Sequence, residues 1–515
     1  MTSDIVIFTE FTSTTVFQRL LGAYRIATEL RKNGYTVQVV DYFTEWNLDE
    51  LKLIVDKFVG PNTLFVGFSS TLYAIRDEAL SDSSRPNHYR RELRYTEDFP
   101  FKPEVSHAFI SHIKEVNPNT KIVLGGQRSQ YKNSKLVDCF IHGYADHTTV
   151  EYAHFLAGKP YDASVLKMVP INDKQIEVDW IKDPEWNFQT SQVLWQPNDL
   201  IYENEVLPIE ISRGCIFRCD FCSFPMNGKT KLDYIKDPGP LREEFIRNYE
   251  QWGITNYIFA DDTYNDSIYK VEKLYNEVFS KLPFKIQFSA YLRHDLIYQN
   301  RDMAPLLKES GLKTCVFGLE SMNHDSAKAI GKGLHPEKGK ELLHWLRDDE
   351  WGKDITMSSG FIVGLPHETE ETFREWMKWV EDPNCPLDGY TVEPLGFNIN
   401  EKKIWPSKFE ADPESYGYTI VNKGVANNSF FKWSLWTNKH MSLPKAWALA
   451  DEYIMRGYRS GRIRPAGFFQ FMWMNGTGLT ADDLAGMSVK NVSATFLKDK
   501  KAEWFDQYKT RLFNL

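Results

Sequence analysis

Long apolar runs are missing from this chain of 515 residues, although hydrophobic residues make up 42% of it. No stretch of about 18 apolar residues occurs, so the sequence predicts no membrane-spanning helix. The N-terminus, Met-Thr-Ser-Asp-Ile-Val-Ile-Phe, has no basic segment ahead of an apolar one. We therefore expect no secretory signal and no membrane partner.

Cysteine is also scarce, with six in the whole chain. Cys139, Cys315 and Cys385 are scattered and follow no pairing pattern. Disulfide frameworks belong to oxidising compartments and usually to short, cysteine-dense chains. This usage predicts a reduced, cytoplasmic protein.

Positive charge is not in excess, since the net charge is −9 and the pI is about 5.8. A protein that binds nucleic acid in bulk normally presents a basic surface, so the balance argues against a nucleic-acid partner. The length suggests about three domains. We find no internal repeat and no low-complexity tract.

The three remaining cysteines lie close together, at Cys215, Cys219 and Cys222. Their spacing is C-x3-C-x2-C, directly after a predicted strand at 207–212. Three thiolates cannot complete the four-cysteine set of an electron-transfer 4Fe–4S cluster, so one iron would stay open to an outside ligand. A zinc knuckle is the alternative, but zinc needs a fourth protein ligand. No histidine or further cysteine occurs between Cys222 and His294.

With Phe221 just before the last cysteine, this stretch resembles the radical S-adenosylmethionine (SAM) enzymes. The resemblance implies a 4Fe–4S cluster on the three cysteines, which are also the predicted catalytic residues. It further implies SAM bound at the open iron and cleaved reductively to a 5′-deoxyadenosyl radical. An electron donor such as flavodoxin or ferredoxin would then be a partner.

The N-terminal portion alternates strands with helices. Predicted strands at 5–8, 37–40, 64–71, 121–126 and 138–143 are separated by helical segments, which indicates an α/β fold with a doubly wound parallel sheet. Ligands of such sheets bind at the carboxyl ends of the strands. Those ends carry small or polar candidates for cofactor binding: Ser69, Ser70, Thr71, Gly125, Gly126, Gln127 and Gly143.

Residues 1–155 resemble the Rossmann-like cobalamin-binding domain that precedes many radical SAM domains. The similarity rests on 21–27, 33–37, Asp41, 66–70 and 124–126, and it implies that cobalamin is a cofactor. The Asp-x-His-x-x-Gly motif, which supplies a histidine ligand to cobalt in many cobalamin proteins, is absent. Cobalamin here would therefore lack a histidine from that motif. A nucleotide-binding or empty Rossmann domain remains the alternative.

The rest of the chain divides into three predicted parts. Residues 156–203 have four prolines and little periodicity, which is typical of a connector. Six strands from 207 to 394, with helices between them, fit the partial (β/α)6 barrel of the radical SAM family over 204–397. Residues 398–515 predict a helical, aromatic-rich C-terminal domain that caps the barrel, ending in an exposed mixed-charge helix from Lys498 onward.

The ends of the barrel strands carry the remaining candidates, because chemistry in such barrels sits there. The resemblance assigns the following residues to SAM: Asp261 and Asp262 to its ammonium, Arg293 to its carboxylate, Glu320 and Ser321 to the sugar and methionine, and Ile362 and Gly364 to adenine. Acidic residues at the start of a helix are the alternative. We prefer that alternative for Glu368, Glu370 and Glu371.

Together these features predict a radical SAM enzyme, and specifically a cobalamin-dependent methyltransferase acting on an unactivated carbon of a small molecule or peptide. A radical SAM enzyme of another type, such as a cyclase or a rearrangement enzyme with a cobalamin-free domain, is one alternative. A non-catalytic cobalamin-binding sensor is the other. A methylthiotransferase is disfavoured, because Cys139 is the only cysteine upstream of the motif and cannot form a second cluster.

Overall fold

The computed structural model describes residues 2–9, 18–69, 103–126, 134–179, 187–223, 226, 228–396, 406–427, 432–460, 471–480, 483 and 494–515. Ser70, Thr71 and Gln127 lie outside these residues. Across the described residues, every helix is too short or too polar to span a lipid bilayer.

The N-terminal sheet has seven strands in the order β2-β1-β3-β4-β5-β7-β6. All pairs are parallel except β6 with β7. The strands are β1 (Ile5–Thr9), β2 (Val37–Val40), β3 (Phe65–Ser69), β4 (Lys121–Gly125), β5 (Cys139–Ile141), β6 (Lys167–Pro170) and β7 (Ile176–Asp179). The helices are α1 (Leu21–Lys32), α2 (Leu48–Phe58), α3 (Pro103–Val116) and α4 (Thr148–Leu156). This confirms the doubly wound α/β prediction.

Alternation along β1 shows why both faces of this sheet are covered. Ile5 and Ile7 join a core with Ala23, Ala27 and Leu30 of α1. Val6 and Phe8 point the other way, into a second core with α2 and α3. A parallel sheet buried on both faces needs such continuous apolar strands.

A second sheet forms an open partial barrel of six parallel strands in the order β13-β12-β11-β10-β9-β8. The strands are β8 (Val206–Ile209), β9 (Asn256–Phe259), β10 (Gln287–Leu292), β11 (Leu312–Glu320), β12 (Thr356–Val363) and β13 (Gly389–Pro394). The helices around it are α5 (Pro238–Trp252), α6 (Ile268–Glu277), α7 (His294–Gln299), α8 (Met303–Glu309), α9 (His324–Ala329), α10 (Pro336–Trp345) and α11 (Glu370–Glu381). All six predicted barrel strands are present.

The C-terminal region differs from the helical prediction. It contains α12 (Lys408–Ala411), an antiparallel hairpin of β14 (Thr419–Asn427) and β15 (Lys432–Thr437), then α13 (Leu443–Ser460) and α14 (Ala494–Phe513). The aromatic residues that suggested helical packing include Trp436, which is fully buried on β15.

Two further expectations need correction. The segment 156–203, interpreted as a connector, contributes β6 and β7 to the N-terminal sheet, with β7 parallel to β5. The last helix, α14, was expected to be exposed, yet Trp504, Phe505 and Tyr508 are buried in the N-terminal core. The charged residues of α14 alternate with these buried aromatic residues, so its composition alone does not reveal the buried face.

Candidate active site

The cysteine loop follows β8 and turns back on itself. Gly214 has φ +96°, and a Cβ there would lie 2.6 Å from the carbonyl oxygen of Met226. The Cys215 N–H donates to that same carbonyl at 3.4 Å, and the Cys222 N–H donates to the Cys219 carbonyl at 3.0 Å. Glycine is therefore required directly before the first cysteine, because any side chain would open the turn.

All three cysteines carry free thiols. Cys215 is buried, with its Sγ 3.6 Å from the Thr263 hydroxyl, and burial raises the pKa of its thiol. Cys219 and Cys222 are half-buried, and Arg293 Nη1 donates to Cys219 Sγ at 3.5 Å.

Among the described residues, no three His, Cys, Asp or Glu side chains converge on one point closely enough to hold a single metal ion. A multi-iron cluster differs, because each thiolate ligates a different iron atom. The three free thiols on one tight loop thus fit a cluster better than a zinc ion.

The adjacent aspartates after β9 have separate environments. The carboxylate of Asp261 is fully buried and accepts hydrogen bonds from the N–H groups of Ile211 and Ser212 at 2.9 and 3.0 Å. It also accepts from the Ser212 hydroxyl at 2.6 Å and from Lys270 Nζ at 3.0 Å. Together these hydrogen bonds anchor the start of the cysteine loop.

Asp262 is half-buried. Its Oδ2 is buried and makes no hydrogen bond within the described residues. Burial, followed by the charges of Asp261 and Glu210, raises its pKa to about 7. An unsatisfied carboxylate oxygen near a cysteine loop is suited to receive a ligand cation.

Arg293 was expected to bind the SAM carboxylate, but its guanidinium is already engaged. Nε and Nη2 donate to the two carboxylate oxygens of Asp295 at 2.9 and 2.5 Å. The guanidinium also lies 3.8 Å from the centre of the Phe217 ring, within the cysteine loop. The structure therefore places Arg293 against the Phe217 ring and Cys219 Sγ.

Glu320 ends β11 in a conformation that side chains rarely adopt, with φ +64°. The pairing with β12 shifts register between Gly318 and Glu320. Burial raises the pKa of Glu320, against the opposing effect of Lys332, whose Nζ lies 3.7 Å away. A non-glycine residue at positive φ costs free energy and is characteristic of functional sites.

The buried Glu368 side chain supports the turn after β12. Gly364 has φ +90°, and its N–H donates to Glu368 Oε2 at 2.9 Å. Glu368 is fully buried, and Trp376 Nε1 donates to its Oε1 at 3.3 Å. Ile362 is half-buried two residues earlier, and Ser321 is buried beside this group, where it contacts Glu368.

Glu368 was interpreted from the sequence as a helix-start charge, and that interpretation missed its contacts. Glu370 and Glu371 do lie in the first turn of α11, whose N-cap is Thr369. Glu368 precedes the cap and supports the Gly364 turn. Glu368 lies four residues after Gly364, and neither composition nor periodicity predicts a contact between two such residues in a loop.

A cavity of about 370 Å³ lies at the carboxyl ends of the N-terminal strands. It is lined by the predicted residues Ser69, Gly125, Gly126 and Gly143, together with Gly22 on α1. A Cβ added at Gly125 would have its nearest neighbour, the Phe68 carbonyl oxygen, 4.0 Å away, so the space beside this glycine is open. Glu210, Arg213 and Ala260 of the barrel close the other side.

Buried ion pairs join this cavity to the cysteine loop. Arg213, two residues before Cys215, contacts Asp146 at 2.7 Å and Glu210 at 2.8 Å. Arg25 of α1 contacts Asp146 at 3.3 Å. Burial alone would raise the pKa of Asp146, but Arg213 and Arg25 outweigh it and lower the pKa to about 2.

Residues 209–380 match the model of the Radical SAM superfamily. This part of the chain contains the open parallel barrel and the three-cysteine loop after its first strand. It is therefore a Radical SAM domain, which implies a 4Fe–4S cluster and SAM.

Solved structures share the fold over nearly the whole chain. The radical SAM methyltransferase TsrM from Kitasatospora setae, with tryptophan and a SAM analogue bound, has a TM-score of 0.63 at 14% identity and covers 99% of this chain and 100% of its own. The cobalamin-dependent SAM radical enzyme OxsB, with aqua-cobalamin and SAM bound, has a TM-score of 0.55 at 15% identity, with coverages of 80% and 56%. The fold predicted from the resemblance is confirmed.

Curated relatives are more varied. An anaerobic magnesium-protoporphyrin IX monomethyl ester cyclase of Rubrivivax gelatinosus is 27% identical over 54% of this chain and 52% of its own length. A ribosomal protein uS12 methylthiotransferase of Protochlamydia amoebophila is 24% identical over 57% of this chain and 58% of its own length. The chain spans about half the length of these relatives.

Proposed function

We propose that the protein is a cobalamin-dependent radical SAM methyltransferase that methylates an unactivated carbon of a small molecule or peptide. The cavity between the two domains carries this proposal. It lies at the carboxyl ends of the N-terminal strands, where such sheets bind ligands, and the barrel residues next to the cysteine loop form its other wall.

The cavity fits part of cobalamin. Its volume of about 370 Å³ lies in the range of small-ligand sites. Glycines at 22, 125, 126 and 143 let a flat heteroaromatic group approach the backbone closely, as the nucleotide tail of cobalamin would. A likeness of fold to cobalamin-bound OxsB supports the same ligand.

Each part of the site then has a proposed task. The thiols of Cys215, Cys219 and Cys222 hold the cluster, with Phe221 packed in the same loop. Asp262 receives the SAM ammonium, because its Oδ2 has no partner in the described residues. Asp261 and Arg293 position the cysteine loop.

Residues on β11 and β12 complete the proposed SAM site. Glu320 and Ser321 lie near the sugar and methionine portions, and Ile362 and Gly364 contact adenine. When bound, one molecule of SAM would supply a methyl group for cobalamin to carry, and a second molecule of SAM would supply the radical after accepting an electron from the cluster. The chain's own residues hold these groups close together and exclude water from between them.

Reconstitution with cobalamin tests the proposal. The protein should retain cobalamin and four irons, and anaerobic incubation with reductant, cell extract and CD3-labelled SAM should yield a product carrying CD3. Gly126→Phe should lose cobalamin while keeping iron. Gly158→Phe is the matched control, because Gly158 also has positive φ but nothing within 4 Å of an added Cβ.

A cyclase is the second candidate, favoured by the 27% identity to the anaerobic cyclase. It would form 5′-deoxyadenosine and change a substrate's mass without incorporating CD3. Failure to retain cobalamin while SAM is still cleaved would favour this candidate. Absence of SAM cleavage with cobalamin bound would instead favour a sensor.

A further inference from the structure

The segment Ser407–Tyr418, which we call the clasp, touches the cysteine loop at one end. Asp220, between Cys219 and Cys222, accepts a hydrogen bond from the Tyr416 hydroxyl at 2.7 Å. Its Oδ1 pairs with Lys408 Nζ at 2.5 Å, and its backbone carbonyl accepts from the Phe409 N–H at 3.2 Å. Three contacts from one short segment thus converge on one residue of the loop.

These contacts differ in strength. The Lys408 side chain is 52% exposed, so its ion pair with Asp220 contributes little. Tyr416 is half-buried, and burial together with Asp220 raises the pKa of its hydroxyl to about 12. The Tyr416 hydroxyl therefore stays protonated and is the more effective donor to the carboxylate.

The clasp touches the turn after β12 at its other end. The Tyr418 hydroxyl donates to the carbonyl of Gly364 at 2.7 Å. Tyr418 is buried and packs edge-on against Trp436, with ring centres 5.2 Å apart. Trp436 in turn lies against Gly364, where a Cβ would be 2.5 Å from its ring.

A rigid body connects the two ends. Phe409 is fully buried, with its ring 4.2 Å from that of Tyr416 and 5.9 Å from that of Tyr418. The backbone within the clasp is closed by hydrogen bonds from the N–H groups of 416 and 418 to the Pro413 carbonyl, at 3.2 and 3.0 Å. Displacement of one tyrosine is thus transmitted to the other through a packed aromatic ring.

We propose that the clasp couples the cysteine loop to the Gly364 turn, with Tyr416 and Tyr418 as positioning residues that set the cluster-binding loop and the SAM-binding turn at a fixed separation. This inference rests on the assignment of the cluster and SAM to these two loops. It does not depend on methyl transfer or on cobalamin.

Hydrogen exchange on the cluster-reconstituted protein tests the coupling in both directions. Tyr416→Phe removes the donor to Asp220. Tyr418→Phe removes the donor to Gly364 and also a side-chain hydrogen bond with Asn438. Each variant should raise amide exchange by about fivefold to tenfold at the distant loop as well as the near one, the size expected for one hydrogen bond. The peptides to follow cover 214–222 and 361–368. Tyr269→Phe, whose side chain is 49% exposed on α6, is the control and should change neither.

SAM affinity and the cluster's spectrum provide a second readout. Both clasp variants should keep four irons per chain, raise the SAM dissociation constant by about fivefold to tenfold, and weaken the change that SAM causes in the electron paramagnetic resonance of the reduced cluster. The double variant should be non-additive, because both hydroxyls act through one element.

Three results would overturn the proposal: exchange raised only at the near loop, unchanged SAM affinity in both variants, or loss of iron in Tyr416→Phe. If exchange and SAM affinity change as expected but no methyl product forms, the proposed function is refuted and the proposed coupling through the clasp stands.

Discussion

Asp261 and Asp262 are neighbours in the sequence with opposite surroundings. Asp261 satisfies buried donors at the start of the cysteine loop, just after β8, and on α6. Asp262 Oδ2 has no hydrogen-bond donor in the described part of the chain. The sequence placed both at the end of a barrel strand, but the division of roles depends on which way each side chain points.

Replacing Asp261 should therefore damage the fold. Asp261→Ala leaves Lys270 buried without its main carboxylate partner, and we expect the free energy of unfolding to fall by about 3–5 kcal/mol. Chemical denaturation of the apoprotein measures this. Asp261 would have a direct role in binding SAM if stability were unchanged while SAM affinity fell.

Replacing Asp262 should have the opposite profile. Asp262→Ala removes a buried carboxylate that lacks a partner, so the unfolding free energy should stay constant or rise. The SAM dissociation constant should increase about tenfold to a hundredfold, since a charge-assisted hydrogen bond is worth about 1.5–3 kcal/mol. Anaerobic titration calorimetry measures the affinity, and an unchanged constant would contradict the proposed ammonium contact.

Glu368 should give the protein a pH-dependent stability. Burial raises its pKa to about 8, against the lowering effect of the Gly364 N–H and Trp376. Because the folded state holds the proton more tightly than the unfolded state, the contribution of Glu368 is largest below its unfolded pKa of about 4.5. It is lost as pH rises toward 8.

The variant Glu368→Gln cannot titrate and isolates this effect. Urea unfolding at several pH values should show wild type losing stability relative to the variant between pH 5 and 8. Parallel pH profiles for the two proteins would show that Glu368 is ionised throughout and that its hydrogen bonds outweigh burial.

At the level of elements, the turn after β12 depends on one glycine. Gly364→Ala introduces positive-φ strain, worth about 1–3 kcal/mol, and drives a Cβ into Trp436. Gly352→Ala is the matched control, since Gly352 has φ +57° but open space around an added Cβ. The unfolding free energy should fall further for Gly364→Ala than for Gly352→Ala. Equal losses would mean that Trp436 moves aside without a cost in free energy.

Elements with strong local patterns were predictable from the sequence. The strands at 37–40 and 356–363 have the predicted bounds, because continuous apolar residues flanked by turns mark buried parallel strands. β6 and β7 were not recognised, since the pairing of β7 with β5 is a tertiary contact and the residues of β6 are partly or fully exposed. The hairpin of β14 and β15 was hidden by aromatic residues compatible with either structure.

The site, like the fold, was predictable where its pattern is local in the sequence. The cysteine spacing is local and predicts a cluster loop, and the structure places three free thiols on one turn there. Contacts of the clasp join residues nearly 200 positions apart, such as Asp220 and Tyr416. No period or spacing in a single sequence encodes such a pair, so the clasp emerges only from the folded structure.

At the scale of the whole molecule, one buried arginine links distant parts. Arg19 is fully buried and pairs with Asp41 at 2.5 Å and Glu205 at 2.7 Å, which joins the N-terminal sheet to the entry of the barrel. It also donates to the backbone carbonyls of Asp199 and Leu200 at 2.8 and 3.0 Å.

Removing this link should destabilise both domains together. Arg19→Ala leaves two buried carboxylates without their cation, and we expect a loss of about 3–5 kcal/mol. Arg301→Ala is the control, because its pair with the exposed Glu341 should be worth less than about 1 kcal/mol. Thermal unfolding followed by tryptophan fluorescence compares them, and equal midpoints would refute the role of Arg19.

The final helix, α14, packs on the first domain through Trp46, whose ring lies 4.9 Å from that of Phe505 and 6.1 Å from that of Phe513. The Tyr508 hydroxyl accepts from the Asp41 N–H at 3.0 Å. During synthesis the N-terminal domain leaves the ribosome well before the aromatic residues of α14 that seal its core. A nascent chain therefore carries an exposed apolar surface on its first domain until α14 has been made, and a truncation that removes α14 would leave the core of the N-terminal domain uncovered.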